Sequence, residues 1–253
     1  MIFVLIAAAG FAAGFINVLA GGGSFLTLPA MIAGGLTALT ANASSTIALF
    51  PAQVAAAWMS RDDMAMPEDA AGVSVRALAA ISTVGGLFGA LLLLVTPESV
   101  FSRIVPWLIL FATLLFAQGS FGSGMVARRR FRLSRNGVYV VQGLVSIYGG
   151  YFGGGIGIMM LAALILFGLT DLRVMNSIKI LLAMLMNVAA VATFIVAGLV
   201  RWQQTFVLMA GALAGSVVGI AAARRVPALW VRVFVIVVGL VLTVAFFLRS
   251  GTS

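Results

Sequence analysis

Apolar residues dominate this chain in long runs that short polar stretches separate. The runs predict helices at about 2–20, 24–36, 40–59, 70–95, 104–126, 137–152, 156–168, 174–199, 204–223 and 230–248. Most of them approach the roughly 20 residues that a helix needs to cross a bilayer. The runs 24–36 and 156–168 are too short to cross alone, so we expect broken or re-entrant helices there, buried in protein or lining a wet cavity. The pattern predicts an all-α, polytopic transmembrane bundle.

The two short runs resemble one another at both ends. Gly21-Gly22-Gly23 precedes the first run and Gly153-Gly154-Gly155 precedes the second, 132 positions later. Gly35-Leu36-Thr37 and Gly168-Leu169-Thr170 end the runs at a spacing of 133. Whether the short run re-enters or crosses, each half crosses the bilayer an odd number of times. The second half is therefore inverted relative to the first. Such inverted repeats with interrupted helices are typical of secondary transporters.

This repeat defines the expected domains. A first transmembrane repeat spans residues 1–127, a basic cytoplasmic linker spans 128–136, and a second, inverted transmembrane repeat spans 137–253. Placing the linker in the cytoplasm leaves only Arg103, Arg201 and Arg249, of fifteen basic residues, on the outside. This agrees with the positive-inside rule. We therefore expect a multi-pass protein of the inner (plasma) membrane with both termini extracytoplasmic.

Composition narrows the function further. The chain is 63% hydrophobic and 8% charged, whereas roughly a quarter of the residues of a soluble domain are charged. It has neither cysteine nor histidine, which removes thiolate and imidazole metal sites and the commonest general base. We expect no cofactor, no metal and no enzyme activity. The net charge of +9 could suggest nucleic acid, but most arginines flank apolar runs as topology signals do, so we expect no nucleic-acid partner.

The glycine clusters are the first candidate site. Ser24 is a preferred N-cap residue for the short helix that follows Gly21, Gly22 and Gly23. A helix N-terminus carries partial positive charge and binds anions. Gly153, Gly154 and Gly155 repeat the arrangement without the serine, so both turns are predicted anion contacts. Tight helix packing is the alternative.

A polar cluster follows each short run and supplies the remaining candidates. These are Asn42, Ser44 and Thr46 in the first half and Asn176, Ser177, Lys179 and Asn187 in the second. Capping and bonding to the preceding turn would equally explain the hydroxyls. Lys179, the only lysine, lies about five residues inside an apolar run. It either draws an anion out of water or extends to the membrane surface.

The acidic residues favour an anionic substrate through their positions. All six fall in or beside loops: Asp62, Asp63, Glu68, Asp69, Glu98 and Asp171. Transporters that are driven by protons or cations usually place a carboxylate within a span. A centre with a lysine, amides, hydroxyls and helix N-termini suits a small negatively charged substrate.

These motifs resemble the TauE/SafE family of sulfite exporters and related anion permeases, formerly a DUF81-type group. The resemblance covers the Ala20–Ser24 turn, Leu28-Pro29, the Ala41–Leu49 run with Pro51, the Gly153–Gly155 turn, and Met175–Leu182 with Asn187. It implies an integral membrane transporter of sulfur-containing oxyanions such as sulfite or organosulfonates, without a cofactor.

We therefore expect an exporter that works by alternating access around a site between the repeats, with a small anion and the lipid bilayer as partners. Two alternatives stay open: an intramembrane hydrolase with Ser24 as nucleophile and Lys179 as base, and a non-transporting structural subunit of a membrane assembly. The small-residue pairs Gly85/Gly89 and Gly215/Gly219 predict close internal helix packing or a homodimer interface.

Overall fold

The computed structural model of the chain describes residues 1–19, 23–61, 73–121, 133–169, 171–222 and 228–250. Its helices are α1 (Ile2–Leu19), α2 (Ser24–Ala33), α3 (Ala38–Met59), α4 (Val75–Val95), α5 (Glu98–Phe121), α6 (Arg135–Tyr151), α7 (Ile156–Leu166), α8 (Leu172–Val196), α9 (Trp202–Ala222) and α10 (Ala228–Ser250). The all-α bundle is confirmed. The predicted residues Gly21, Gly22 and Thr170, and most of the linker (128–132), lie outside the described residues.

Helix length separates the spans from the short elements. Helices α4, α5, α8 and α9 contain stretches long and apolar enough to cross a membrane. Helices α2 and α7 have 10 and 11 residues, or about 15 and 17 Å at 1.5 Å per residue. The hydrocarbon core is about 30 Å thick. Neither short helix can cross it alone, as the sequence predicted.

The repeated Gly-Leu pair ends both short helices in the same way. Gly35 and Gly168 adopt φ angles of +87° and +93°, a left-handed conformation that favours glycine. The next residues donate N–H bonds back into the helices, from Leu36 to the Met31 carbonyl at 3.2 Å and from Leu169 to the Leu164 carbonyl at 3.1 Å. The pair is thus a helix C-cap that turns the chain into α3 or α8.

The two halves of the chain interlock. Helix α1 packs mainly against α9, and α4 packs against α6 and α8. Glycines make these approaches close: a Cβ at Gly14 would collide with the Ala212 carbonyl, and one at Gly86 would lie 2.6 Å from Met186 Cα. Gly85/Gly89 and Gly215/Gly219 likewise face other helices of the same chain, so these pairs serve internal packing.

The helix contacts obey a pairing rule. The first helix of each half packs on the fourth helix of the other half (α1 with α9, α6 with α4). The third packs on the fourth of the other half (α3 with α9, α8 with α4). The equivalent helices also meet, α3 with α8 and α5 with α10. This pattern is consistent with two repeats, and their inversion stays a prediction.

Two apolar cores follow from this interlocking. One core lies among α4, α6, α7 and α8, around Leu78, Met160 and Met186. The other joins α1, α2, α3, α5, α9 and α10 around Ile6, Met31 and Phe116, and it also contains Phe152 and residues near the carboxyl ends of α4 and α8. Helix α4 therefore shares a core with the second half of the chain, and α9 shares one with the first half. Each core thus combines helices of both sequence repeats.

Candidate functional site

A small cavity with both polar and apolar walls lies where α2 begins. Helices α2 and α3 supply most of its wall, and the turn after α6 supplies an aromatic ring; the lining residues are Ser24, Leu28, Asn42, Ser45, Thr46 and Phe152. Its volume is about 10 Å³, which is room for about one water molecule. The cavity therefore brings the start of α2 and the first polar cluster together with Phe152, the residue before the second glycine turn.

The start of α2 differs from the sequence prediction in one detail. Ser24 is the first residue of the helix, and Gly23 occupies the N-cap position without a side-chain cap among the described residues. Gly23 packs on α1, since a Cβ there would lie 2.7 Å from the Ala13 carbonyl oxygen. The prediction that Ser24 caps α2 is wrong. The serine instead leaves its hydroxyl at the cavity, beside the positive end of the helix.

The polar side chains of α3 that line the cavity differ in their hydrogen bonding within the protein. Asn42 donates its amide N–H to the Tyr151 carbonyl at 3.1 Å, and the Thr46 hydroxyl donates to the Asn42 carbonyl at 3.0 Å. The Ser45 hydroxyl is buried, yet it has no hydrogen-bond partner within the described part of the chain. Ser45 was missed by the sequence analysis, which chose the serine before it.

The Ser44 hydroxyl bonds to the backbone at the start of α9. This buried hydroxyl accepts a hydrogen bond from the Arg201 backbone N–H at 3.1 Å, directly before α9 begins. Ser44 is not among the residues that line the cavity. In this structure Ser44 ties α3 to the start of α9.

The second glycine turn positions Phe152. Gly153 and Gly155 both have a φ of +73°, and the Tyr148 hydroxyl donates to the Gly154 carbonyl at 2.8 Å. A Cβ at Gly154 would lie 2.5 Å from the Phe152 ring. The three glycines thus let the chain reverse tightly between α6 and α7 and hold the ring over the cavity.

Lys179 lies elsewhere, beside the start of α7. Its ammonium group donates to the Asn176 side-chain oxygen at 2.6 Å. Its Cδ would be 3.9 Å from a Cβ at Gly157. At the 133-residue spacing, Gly157 corresponds to Ser24 and Lys179 to Thr46. Lys179 and Gly157 are thus the second-half counterparts of Thr46 and Ser24, two residues that line the cavity. In the second half the lysine stem lies beside this glycine.

The other predicted residues of α8 have local partners. Ser177 is buried and donates its hydroxyl to the Arg173 carbonyl at 3.1 Å. Asn187 donates to the side-chain oxygen of Gln53 at 2.7 Å, which links α8 to α3. The structure brings Ser24, Asn42 and Thr46 together, whereas Lys179, Asn176, Ser177 and Asn187 are not among the residues that line the cavity.

The carboxylates that the structure describes serve helix N-termini. Glu98 of α5 accepts hydrogen bonds from the backbone N–H groups of Ala38 at 2.8 Å and Leu39 at 3.2 Å. Asp171 accepts from those of Arg173 and Val174. Neither carboxylate lines the cavity. Within the described ranges, His, Cys, Asp and Glu form no group that could hold a metal ion.

The fold and the apolar spans define a multi-pass membrane protein. The model of the "Sulfite exporter TauE/SafE" family matches residues 6–246. The chain belongs to this family, and it is a membrane transporter rather than an enzyme.

Curated relatives agree with this assignment. The chain is 29% identical over 218 residues to a "Probable membrane transporter protein" of Haemophilus influenzae, a match that covers 83% of this chain and 80% of the relative. It is 28% identical over 211 residues to the "Probable membrane transporter protein YfcA" of Escherichia coli K12, covering 82% and 75%. It is also 28% identical over 245 residues to the "Probable membrane transporter protein ORF9" of Sinorhizobium sp, covering 96% and 90%. No solved structure matches the chain.

Proposed function

We propose that this transporter exports small sulfur-containing oxyanions, such as sulfite or organosulfonates, across the inner membrane by alternating access. The observation that carries the proposal is the cavity at the N-terminus of α2, with its hydroxyl and amide lining. Hydroxyl donors and a helix N-terminus stabilise negative charge. The residues that line the cavity include no carboxylate that would repel an anion.

The size of the cavity bears on the mechanism. A volume of about 10 Å³ accommodates about one oxygen-sized group, and an oxyanion of sulfur has at least three oxygens around its central atom. The cavity must therefore widen before it holds the substrate. An occluded state that opens alternately to either side meets this requirement.

The interlocked packing supports a particular division into moving parts. One body would contain α1, α2, α3 and α9, and the other α4, α6, α7 and α8, because the most extensive helix pairings lie within these groups, α1 with α9 and α4 with α6 and α8. Phe152 belongs to the chain of the second body, and Ser24 and Asn42 belong to the first. In this division the cavity would lie at the boundary of the two bodies, where a relative motion would open it.

Lys179 supplies a fixed positive charge at the start of α7. Its ammonium group bonds to Asn176 and lies with the start of α7, whose N-terminus is also partially positive. Two positive groups side by side favour the approach of an anion from water. Lys179 would thus attract the substrate, and the cavity would hold it after partial dehydration.

The direct test is transport by the purified protein in liposomes. Efflux of radiolabelled sulfite from preloaded proteoliposomes should exceed that from protein-free liposomes, and ethanesulfonate or sulfate in excess should identify competing anions. Parallel assays with labelled phosphate and a labelled organic cation provide the comparison. Efflux equal to that of protein-free liposomes for every sulfur oxyanion in the panel would overturn the proposal.

A further inference from the structure

We propose that the Ser45 hydroxyl donates a hydrogen bond to the transported oxyanion, and that the Phe152 ring is the lid that covers this contact. The inference rests on the proposed function and names the side chains that would bind and enclose the substrate. It places the binding contact on α3 of the first half and the lid on the glycine turn of the second.

Ser45 brings a buried, unpaired hydroxyl to the cavity wall. Asn42 and Thr46 already donate within the protein, to the Tyr151 and Asn42 carbonyls. Ser45 is only 4% exposed, and its hydroxyl has no partner among the described residues. A buried hydroxyl without a partner destabilises the protein, and an oxyanion oxygen would supply the missing partner. The N-terminus of α2 adds partial positive charge at the same place.

Phe152 is placed to act as the lid. It lies in the cavity wall together with residues of α2 and α3, it is 5% exposed, and its ring meets the Tyr148 ring edge to face at 6.1 Å. The next residue, Gly153, has a φ of +73°, so the chain turns sharply directly after the lid. With the ring in place, the cavity has room for about one oxygen-sized group, so a larger anion requires the ring to move.

The first test deletes the hydroxyl. In proteoliposomes, Ser45→Ala should raise the KM for radiolabelled sulfite about 10- to 100-fold, the effect of losing a hydrogen bond to a charged group. Ser216→Ala is the matched control, because that hydroxyl donates to the Gly14 carbonyl on α1, away from the cavity, and its KM should equal that of the unmodified protein. Flux with an unchanged KM in Ser45→Ala would overturn the assignment of Ser45 alone. Absence of flux in the unmodified protein would overturn the proposed function as well.

The second test measures access without transport. The chain has no cysteine, so Ser45→Cys introduces a single thiol for N-ethylmaleimide. The labelling rate should rise about tenfold or more when Phe152→Ala is added, as expected for an opened cavity. Phe206→Ala is the control, since that ring is exposed and stacks on Trp202; it should leave the rate unchanged. Equal rates with Phe152 and with Phe152→Ala would overturn the lid.

Discussion

Asn187 of α8 donates its side-chain N–H to the side-chain oxygen of Gln53 on α3 at 2.7 Å. The two residues are 134 positions apart, within one residue of the spacing that relates the two halves of the chain. Helices α3 and α8 hold equivalent places in the two halves and contact each other directly. The amide pair therefore joins the halves at nearly equivalent positions, and the Asn187 side-chain oxygen stays buried without a partner in the described structure.

This pair should contribute measurably to stability. Asn187→Leu removes the donor and leaves the Gln53 oxygen unpaired, so we expect a loss of about 1 kcal/mol, the usual range for hydrogen bonds between membrane helices. Unfolding in detergent, with Gln53→Leu and the double variant completing a double-mutant cycle, measures the coupling. A coupling energy near zero would show that the two amides act independently.

Lys179 should be required for flux. Lys179→Ala removes the positive charge at the start of α7, so sulfite efflux from proteoliposomes should fall to the level of protein-free liposomes, while the protein stays folded. Lys179→Arg keeps the charge and should retain part of the activity. Unchanged efflux in Lys179→Ala would mean that the lysine only extends to the membrane surface.

The glycine turn between α6 and α7 should not accept a side chain. Gly154→Leu would push the Phe152 ring from its place, since even a Cβ lies 2.5 Å from it, and we expect transport to stop. Gly143→Ala on α6 is the control, because its Cβ would meet only Ile81 at 3.9 Å. Efflux assays on both variants, after each has been shown to be monodisperse in detergent, decide the point. Active Gly154→Leu protein would argue against a role for the turn.

The division into moving bodies predicts the effect of a cross-link between the halves. Val18 on α1 and Gly219 on α9 have Cβ positions 3.4 Å apart, close to the distance in a disulfide. If α1 and α9 move together, oxidised Val18→Cys/Gly219→Cys protein should keep its activity, although the bond joins the first and second repeats. Flux of a labelled organosulfonate measures this, because sulfite itself cleaves disulfides.

Gln53→Cys/Asn187→Cys provides the contrast for that experiment. This double variant places one cysteine on α3 and one on α8, which belong to different bodies. A short thiol-specific cross-linker that joins the two cysteines should therefore stop transport. Arrest by the Val18–Gly219 bond would instead support a rocking motion of the two sequence repeats.

The helices could be predicted from the sequence because the length of an apolar run and the conformation of a glycine depend on neighbouring residues. The apolar runs correspond to the helices that the structure describes, and the Gly-Leu pairs at Gly35 and Gly168 are the C-caps of the two short helices. Both features depend on a few neighbouring residues, so a pattern of residue types is enough to locate them.

The site was predicted less completely, since it depends on side-chain direction. Two serines in succession cannot be distinguished by composition, and the structure places Ser45 in the cavity and Ser44 against Arg201. Phe152 was likewise missed, because an aromatic residue beside glycines gives no sign that its ring reaches a cavity of the other half. The interlocking of α1 with α9 depends on contacts about 200 residues apart in sequence, which no local pattern encodes.

The pairing of α1 with α9 also determines when α1 can pack during synthesis of the protein. Helix α1 ends at Leu19 and α9 begins at Trp202, so synthesis at about 5–20 residues per second separates them by roughly 10–40 s. During this interval Gly10 and Gly14, which later contact Leu208 and Ala212, have no final partner. Helix α1 is thus made well before the helix on which it packs, and a nascent chain that stops before Trp202 cannot assemble the body that contains α1.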